Sequence, residues 1–453
     1  MAQSKRQIKL GAFLHETGHH VAAWRLPEAQ ADGGANFAHY VELARIAERG
    51  RFDMLFLADS VGIWHGHEEA LNRTARVAHF EPLTLLSALA AVTSHIGFVA
   101  TATTTYNEPY HVARKFASLD LISGGRAGWN LVTSSNAQEA FNFSRDAHLA
   151  HADRYVRARE FARVVQGLWD SWDDDAFVRD KESGIFFKSE GLHVLNHVGP
   201  AFQVRGPLNV PRSPQGQPVL VQAGSSEAGR GLAAATAEAI FTAHQTLAEA
   251  QAFYSDVKAK AVANGRHPDD VKIMPGIFPV IGETKLEAEE KFERLQDLVH
   301  PDVGLSLLSS MIGLDLRGQD VDGPLPPIPE SETGKSRARL LSDLAERESL
   351  SIRQLYQHIA GARGHKQIVG TPAEIADHLE EWFIQGAADG FNVMPPHLPG
   401  GLVEFVDLVI PELQRRGLFR REYEGKTLRE NLGLSRPENR FADGTHTRAS
   451  AAD

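Results

Sequence analysis

Three short stretches of this chain carry side chains able to grip a flat, charged ligand. The first ends in Asp59, which closes the apolar run Asp53–Ala58. A carboxylate there can accept hydrogen bonds from a heterocycle, or simply cap the next helix. The second is His151-Ala152-Asp153-Arg154-Tyr155. Its four-residue spacing sets His151 and Tyr155 on one face of a helix start, where unpaired backbone N–H groups attract phosphate. An Asp153 N-cap beside a packed tyrosine accounts for the same residues. The third is Gln222-Ala223-Gly224-Ser225-Ser226, which follows a short apolar run and opens a helix. Glycine lets backbone approach a ligand, and Ser225 and Ser226 either hold phosphate or serve as ordinary caps.

Other polar residues lie near the ends of apolar runs. Thr101–Tyr106 crosses from one run into its loop, and Trp129-Asn130 sits inside another, followed by Thr133, Ser134, Ser135 and Asn136. An asparagine inside a buried strand needs partners, because an unpaired amide costs about 1–3 kcal/mol. Histidines gather in two loops, His15, His19 and His20 in one and His65-Gly66-His67 in the other. The His-x-His pair with Glu68 is of the type that binds zinc. The fifth, sixth and seventh runs end without a further ligand, so a metal-dependent hydrolase is the weakest reading. No Gly-x-Ser-x-Gly elbow and no Walker phosphate loop is present.

The elements that must position these residues are eight apolar, β-branched runs. They are Ile8–Phe13, Asp53–Ala58, Ile96–Thr103, Ala127–Val132, Val219–Gln222, Ala239–Thr242, Ile273–Val280 and Gly390–Val393. Helix-like stretches separate them. Strand alternating with helix predicts a parallel sheet, and eight units predict an α/β fold of the closed (β/α)8 TIM-barrel type. Barrel enzymes place their chemistry where strands end, which is where Asp59, Thr105 and the serines fall. The spacing of Phe37, Tyr40, Val41, Ala44 and Ala47 predicts a helix stopped near Arg49-Gly50-Arg51. Pro82 opens a second helix, and Arg114–Ile122 continues a third before Ser123-Gly124-Gly125.

Residues 1–434 read as one barrel domain with insertions at about 172–217 and 299–370, and 435–453 as a polar, loosely ordered tail. The longer insertion is the candidate lid. The net charge of −11 over 453 residues, with no basic block, argues against nucleic acid or an anionic membrane as partner. The complete lack of cysteine excludes disulfides, thiolate metal sites and a Cys nucleophile. The polar Met1–Gln7 runs straight into the first strand, and no window holds the roughly 18 apolar residues of a membrane helix. A cytoplasmic protein is expected.

The chain resembles the bacterial-luciferase-like flavoproteins, and within them the nitrilotriacetate, dibenzothiophene-sulfone and long-chain-alkane monooxygenases. The matching blocks are Gly18-His19-His20, Ala23-Trp24-Arg25, Glu48–Asp53 with Phe56–Asp59, Pro109-Tyr110, Ser123–Arg126 with Trp129–Ser134, His151 with Arg154-Tyr155, Ser213–Gly216, Gln222–Gly224, Asp389–Asn392 and Pro411–Gln414. They run in order from residue 9 to about 434. The resemblance implies reduced FMN (FMNH2) delivered by a separate NAD(P)H:flavin reductase, and O2 activated as a C4a-hydroperoxyflavin that oxidises a small organic substrate. It implies a homo-oligomer as well. Carried over residue by residue, it sets Asp59 and Thr105 near the isoalloxazine and His151, Tyr155, Ser225 and Ser226 around the phosphate. His19 or His20 would steer or protonate the peroxy group, or else only shape the pocket rim. Some sulfone-oxidising relatives carry a histidine within Ser309-Ser310-x-x-Gly313, where Met311 stands here, which weakens any substrate carried over from them. An F420-dependent oxidoreductase and a non-catalytic flavin-binding protein are the alternatives on the same fold.

Overall fold

The computed structural model describes residues 6–63, 68–224, 226–328 and 335–442. Eight parallel strands close a barrel: β1 (Lys9–Leu14), β2 (Met54–Leu57), β3 (Gly97–Thr103), β4 (Ala127–Val132), β5 (Val219–Ala223), β6 (Ala239–Thr242), β7 (Lys272–Ile281) and β8 (Gly390–Val393). Closure is made by β8, which pairs Lys9↔Gly390 with β1 on one side and Asn392↔Gly276 with β7 on the other. Each run read as a strand in the sequence is a strand of this barrel. Period-two alternation sorts the side chains: Leu10, Ala12 and Leu14 of β1 face the helix layer, while Phe13 joins Met54, Phe56, Phe241 and Phe278 inside. The inner rings stack closely, with Phe13 4.8 Å from Phe56 and 5.1 Å from Phe241.

Helix starts follow local chemistry. The Asn36 side chain accepts the His39 N–H at the head of Phe37–Arg49, and Glu81 caps Pro82–Ala90 behind a first-turn proline. Phe37–Arg49 ends differently from expectation. Gly50 stays right-handed and Arg51 takes the positive φ of 60°. The helix Pro109–Ser123 stops at Gly124, which is left-handed as expected of a C-terminal glycine.

The 172–217 insertion follows a helix rather than a strand, so it lies toward the barrel floor. It is held by Trp172, Phe177 and Phe187 in mutual ring contact and by a two-stranded hairpin, His197–Val198 with Gln203–Val204. Residues 435–442, expected to be loose, are tied to it. Arg436 contacts Asp174 at 2.7 Å, Asn439 donates to the Trp172 carbonyl at 2.9 Å, and Phe441 stacks on His193. Residues 443–453 lie outside the described residues.

The floor itself is a plug. The short helix Leu428–Leu432 places Leu428 and Leu432 among the interior side chains. Below it the fully buried Asp53 accepts the Leu10 N–H at 2.7 Å and pairs with Arg420, while Arg429 pairs with Glu238. A ninth strand, Lys366–Gly370, was not foreseen. It pairs in parallel with the outer half of β7, from Lys366↔Ile277 to Gly370↔Ile281.

The 299–370 segment lies between β7 and β8, after the helix Lys285–Asp297, and its packing on the loop after β1 places it at the C-terminal mouth. Its helices Pro301–Ile312, Lys335–Glu348 and Ile352–Ala360 share an apolar core in which Leu308, Ile312, Ile352 and Leu355 meet Val21 and Ala22 of the first loop. The loop after β1 and the insertion after β7 are thus one packed cover.

Candidate active site at the barrel mouth

The loop after β1 carries His15 and Glu16 into a network shared with Asp59 and His79. His79, which precedes Pro82–Ala90, lies 3.3 Å from Glu16 and 3.5 Å from Asp59, and His15 lies 3.4 Å from the other Glu16 oxygen. Hydrogen bonding to Asp59 and then to Glu16 raises His79 to about 10, so it is an imidazolium at neutral pH. Burial pushes the Glu16 carboxyl up, but the imidazoles of His15 and His79 outweigh it and hold the acid well below its usual range. Asp59 therefore does not cap a helix. It is the outer end of a carboxylate–imidazolium–carboxylate chain.

His19 and His20 are both only 1% exposed, yet their bonding differs. The His20 Nδ1 accepts the Ala22 N–H at 3.3 Å, so its Nε2 carries the proton donated to the Gln296 side-chain oxygen at 3.1 Å. Gln296 in turn donates to the Gln357 carbonyl at 3.0 Å. Both His20 nitrogens are occupied, Nδ1 within the first loop and Nε2 in the link through Gln296 to the cover, and burial lowers its pKa to about 4. His19 donates from Nε2 to the Phe13 carbonyl at 2.9 Å, which leaves Nδ1 as an acceptor without a partner among the described residues. Burial, then the fields of His15 and Arg363, keep His19 neutral.

The strand ends beyond Asp59 form a continuous shelf. Thr105, fully buried after β3, donates its hydroxyl to the Thr133 carbonyl at 2.7 Å. The same carbonyl accepts from Arg154 at 3.3 Å, one residue before Tyr155. Thr105 is thereby linked to the helix His151–Trp169. That helix starts at His151 with Ala150 as its N-cap residue and no side chain capping it, so Asp153 lies inside the first turn and the end N–H groups stay available. The His151 and Tyr155 rings are 4.8 Å apart.

A second helix start faces the first. Ser226 caps Glu227–Thr236 by accepting the Gly229 N–H at 3.1 Å. A Cβ on Gly229 would stand 3.2 Å from the Tyr155 hydroxyl and one on Gly224 4.0 Å from it, so this tyrosine reaches between the two starts. Gly224 has a φ of 139°, a conformation closed to other residues at low cost. The Tyr155 hydroxyl makes no hydrogen bond among the described residues. Ser225, His65 and His67 lie outside the described residues. Among the described ones no group of three metal-binding side chains converges.

Several residues here escaped the sequence reading. Glu16 and His79 stand in loops with no strand-end pattern to mark them. Arg76, whose guanidinium donates to the His19 carbonyl, and Arg363, at the end of the cover, look like surface cations in the sequence. Only the presence of Glu16 beside the first histidines offered a signal.

The family model for luciferase-like monooxygenases matches residues 17–389. The N-acetyl-S-(2-succino)cysteine monooxygenase of Bacillus subtilis (strain 168) is 55% identical over 98% of this chain and 100% of its own length. Nitrilotriacetate monooxygenase component A of Aminobacter aminovorans is 53% identical over 97% of this chain and 99% of its own. The crystal structure of a riboflavin lyase with modified FMN and riboflavin superposes with a TM-score of 0.82 at 32% identity, over 95% of this chain and 96% of that one. Barrel, mouth and relatives agree: the chain belongs to the luciferase-like monooxygenases, an enzyme family.

Proposed function

We propose that this chain is the oxygenase component of a two-component FMN-dependent monooxygenase. A separate NAD(P)H:flavin reductase supplies the reduced flavin, and the substrate is a small organic molecule oxidised next to sulfur or nitrogen. The observation that carries this reading is the meeting of two helix starts at Tyr155. Uncapped N–H groups, a free phenol and a glycine with positive φ make an anion cradle suited to a flavin phosphate. This cradle follows β4 and β5, whereas most barrels hold phosphate after the last two strands.

His151, Tyr155, Ser225 and Ser226 would hold the phosphate, and Thr105 and Asp59 would flank the ring system. Reduced FMN supplies the electrons and the oxygen activation when bound. The chain's part is to orient the flavin, exclude water and manage protons. Water exclusion falls to the cover, whose core includes Val21 and Ala22 of the first loop. Proton handling falls to His19, the loop histidine with a free acceptor nitrogen, and to the His79 imidazolium held by Asp59. In this reading His20 positions His19 rather than reacting.

The test is oxygen uptake with a flavin reductase, NADH and FMN, screened over thioethers, sulfones, aminopolycarboxylates and alkanes. Substrate-dependent uptake with stoichiometric product is expected. Oxygen consumption that yields only hydrogen peroxide with all of them, or tight binding of F420 in place of FMN, would overturn the proposal.

A further inference from the structure

We propose that Arg363, assisted by Arg76, receives a carboxylate of the substrate, so that the oxidised molecule is a small carboxylate-bearing thioether or amine. The inference rests on the monooxygenase reading and names its substrate class.

Arg363 stands where the cover returns to the barrel. The helix Ile352–Ala360 stops at Gly361, and the chain turns so that the His365 N–H donates to the Ala362 carbonyl at 2.8 Å. Within this turn Arg363 takes a φ of 49°, which non-glycine residues adopt only when their surroundings impose it. The surroundings are the mouth itself. Gly361 packs so tightly that a Cβ there would sit 2.5 Å from the Phe278 ring. His365 stacks on Phe241 with ring centres 4.7 Å apart, and the Ala360 carbonyl accepts the Val21 N–H at 3.0 Å. Arg363 is thus fixed between the inner aromatic ring and the histidine loop.

Its charge has no counterpart. The Arg363 Nε is hidden from solvent and finds no acceptor, and the side chain makes no ion pair among the described residues. Glu16 is the acid whose field reaches it, but that carboxylate is already held by His15 and His79. Arg76 repeats the pattern. One of its terminal nitrogens donates to the His19 carbonyl, and the other is hidden without an acceptor. Both cations therefore flank His19, in a molecule whose net charge is −11. Arg363 is partly buried and keeps an unused Nε–H, and a guanidinium in this state matches a planar carboxylate, which it grips through two parallel hydrogen bonds. Neutral sulfides and alkanes offer it nothing.

The experiment compares 2-(methylthio)succinate, its dimethyl ester, nitrilotriacetate and dimethyl sulfide in the reductase-coupled assay, using wild type, R363Q, R363K and R76Q. With wild type, the KM of the diacid is expected to lie roughly tenfold or more below that of its diester. R363Q should raise the KM of the diacid and of nitrilotriacetate by roughly ten- to hundredfold, R363K by less, with the affinity for reduced FMN unchanged. An unchanged KM in R363Q, or a wild type that prefers the diester or dimethyl sulfide, overturns the inference while leaving the monooxygenase reading in place. If no compound supports oxygenation, that reading fails, and calorimetric titration of the protein with 2-(methylthio)succinate decides on the site alone: binding lost in R363Q supports it, and equal or absent binding in wild type removes it.

Discussion

Tyr155 holds a hydroxyl in a place where most buried hydroxyls would already be paired. Removing it in Tyr155→Phe should weaken reduced FMN by about 0.5–1.5 kcal/mol, or up to ~3 kcal/mol if the oxygen partner is charged phosphate. Anaerobic fluorescence titration reads this directly. Ser226→Ala should weaken flavin too and also lose the helix cap, about 1 kcal/mol of stability. Unchanged flavin affinity in both variants would mean that the phosphate sits elsewhere. His79 gives a pH signature. Its folded pKa of about 10 lies above the ordinary 6.5, so its contribution to stability is full below about 6.5 and fades as pH rises toward 10. Glu16, depressed on folding, adds stability above its usual 4.5 and loses it as pH falls. Thermal midpoints of wild type minus His79→Asn should be largest between those limits and converge by about pH 10. A difference independent of pH would contradict the imidazolium. At this scale the sequence was half legible. Asp59, Thr105, His151, Tyr155 and Ser226 follow strands or open helices, positions that topology makes chemical. Glu16, His79, Arg76 and Arg363 acquire meaning only from neighbours far along the chain.

Among the elements, strands were legible because a strand buried on both faces leaves a short, unbroken apolar run between helix-like stretches, even over four residues, as in Met54–Leu57. Lys366–Gly370 left no such trace. It borders the overhang of the ten-residue β7 and is only partly buried, so nothing selects an unbroken apolar run there. The cover was legible as an excursion but not as a structure, because its apolar residues find partners in the first loop. Leu308, wholly buried among them, tests whether the cover acts as a unit. Leu308→Ala should cost about 2–5 kcal/mol locally. Hydrogen exchange should rise across 301–360, and more of the oxygen consumed should appear as peroxide. An unaltered coupling ratio with raised exchange would detach the cover from water exclusion.

The molecule as a whole is a barrel shut at both ends by segments distant from the strands they cover. At the mouth the insertion after β7 meets the loop after β1. At the floor Leu428–Leu432, Arg420 and Arg429 seal strands that begin near residue 9. Arg420→Ala leaves Asp53 as an uncompensated buried charge, and a loss of about 3–5 kcal/mol is expected. A denaturation midpoint equal to wild type would refute the role of that pair. The floor also sets the order in which this protein can come into being. Asp53 is translated long before Arg420, and the aliphatic stopper follows later still. A chain grown from its N-terminus has every strand of the barrel before it has either Arg420 or the stopper Leu428–Leu432 that closes the base.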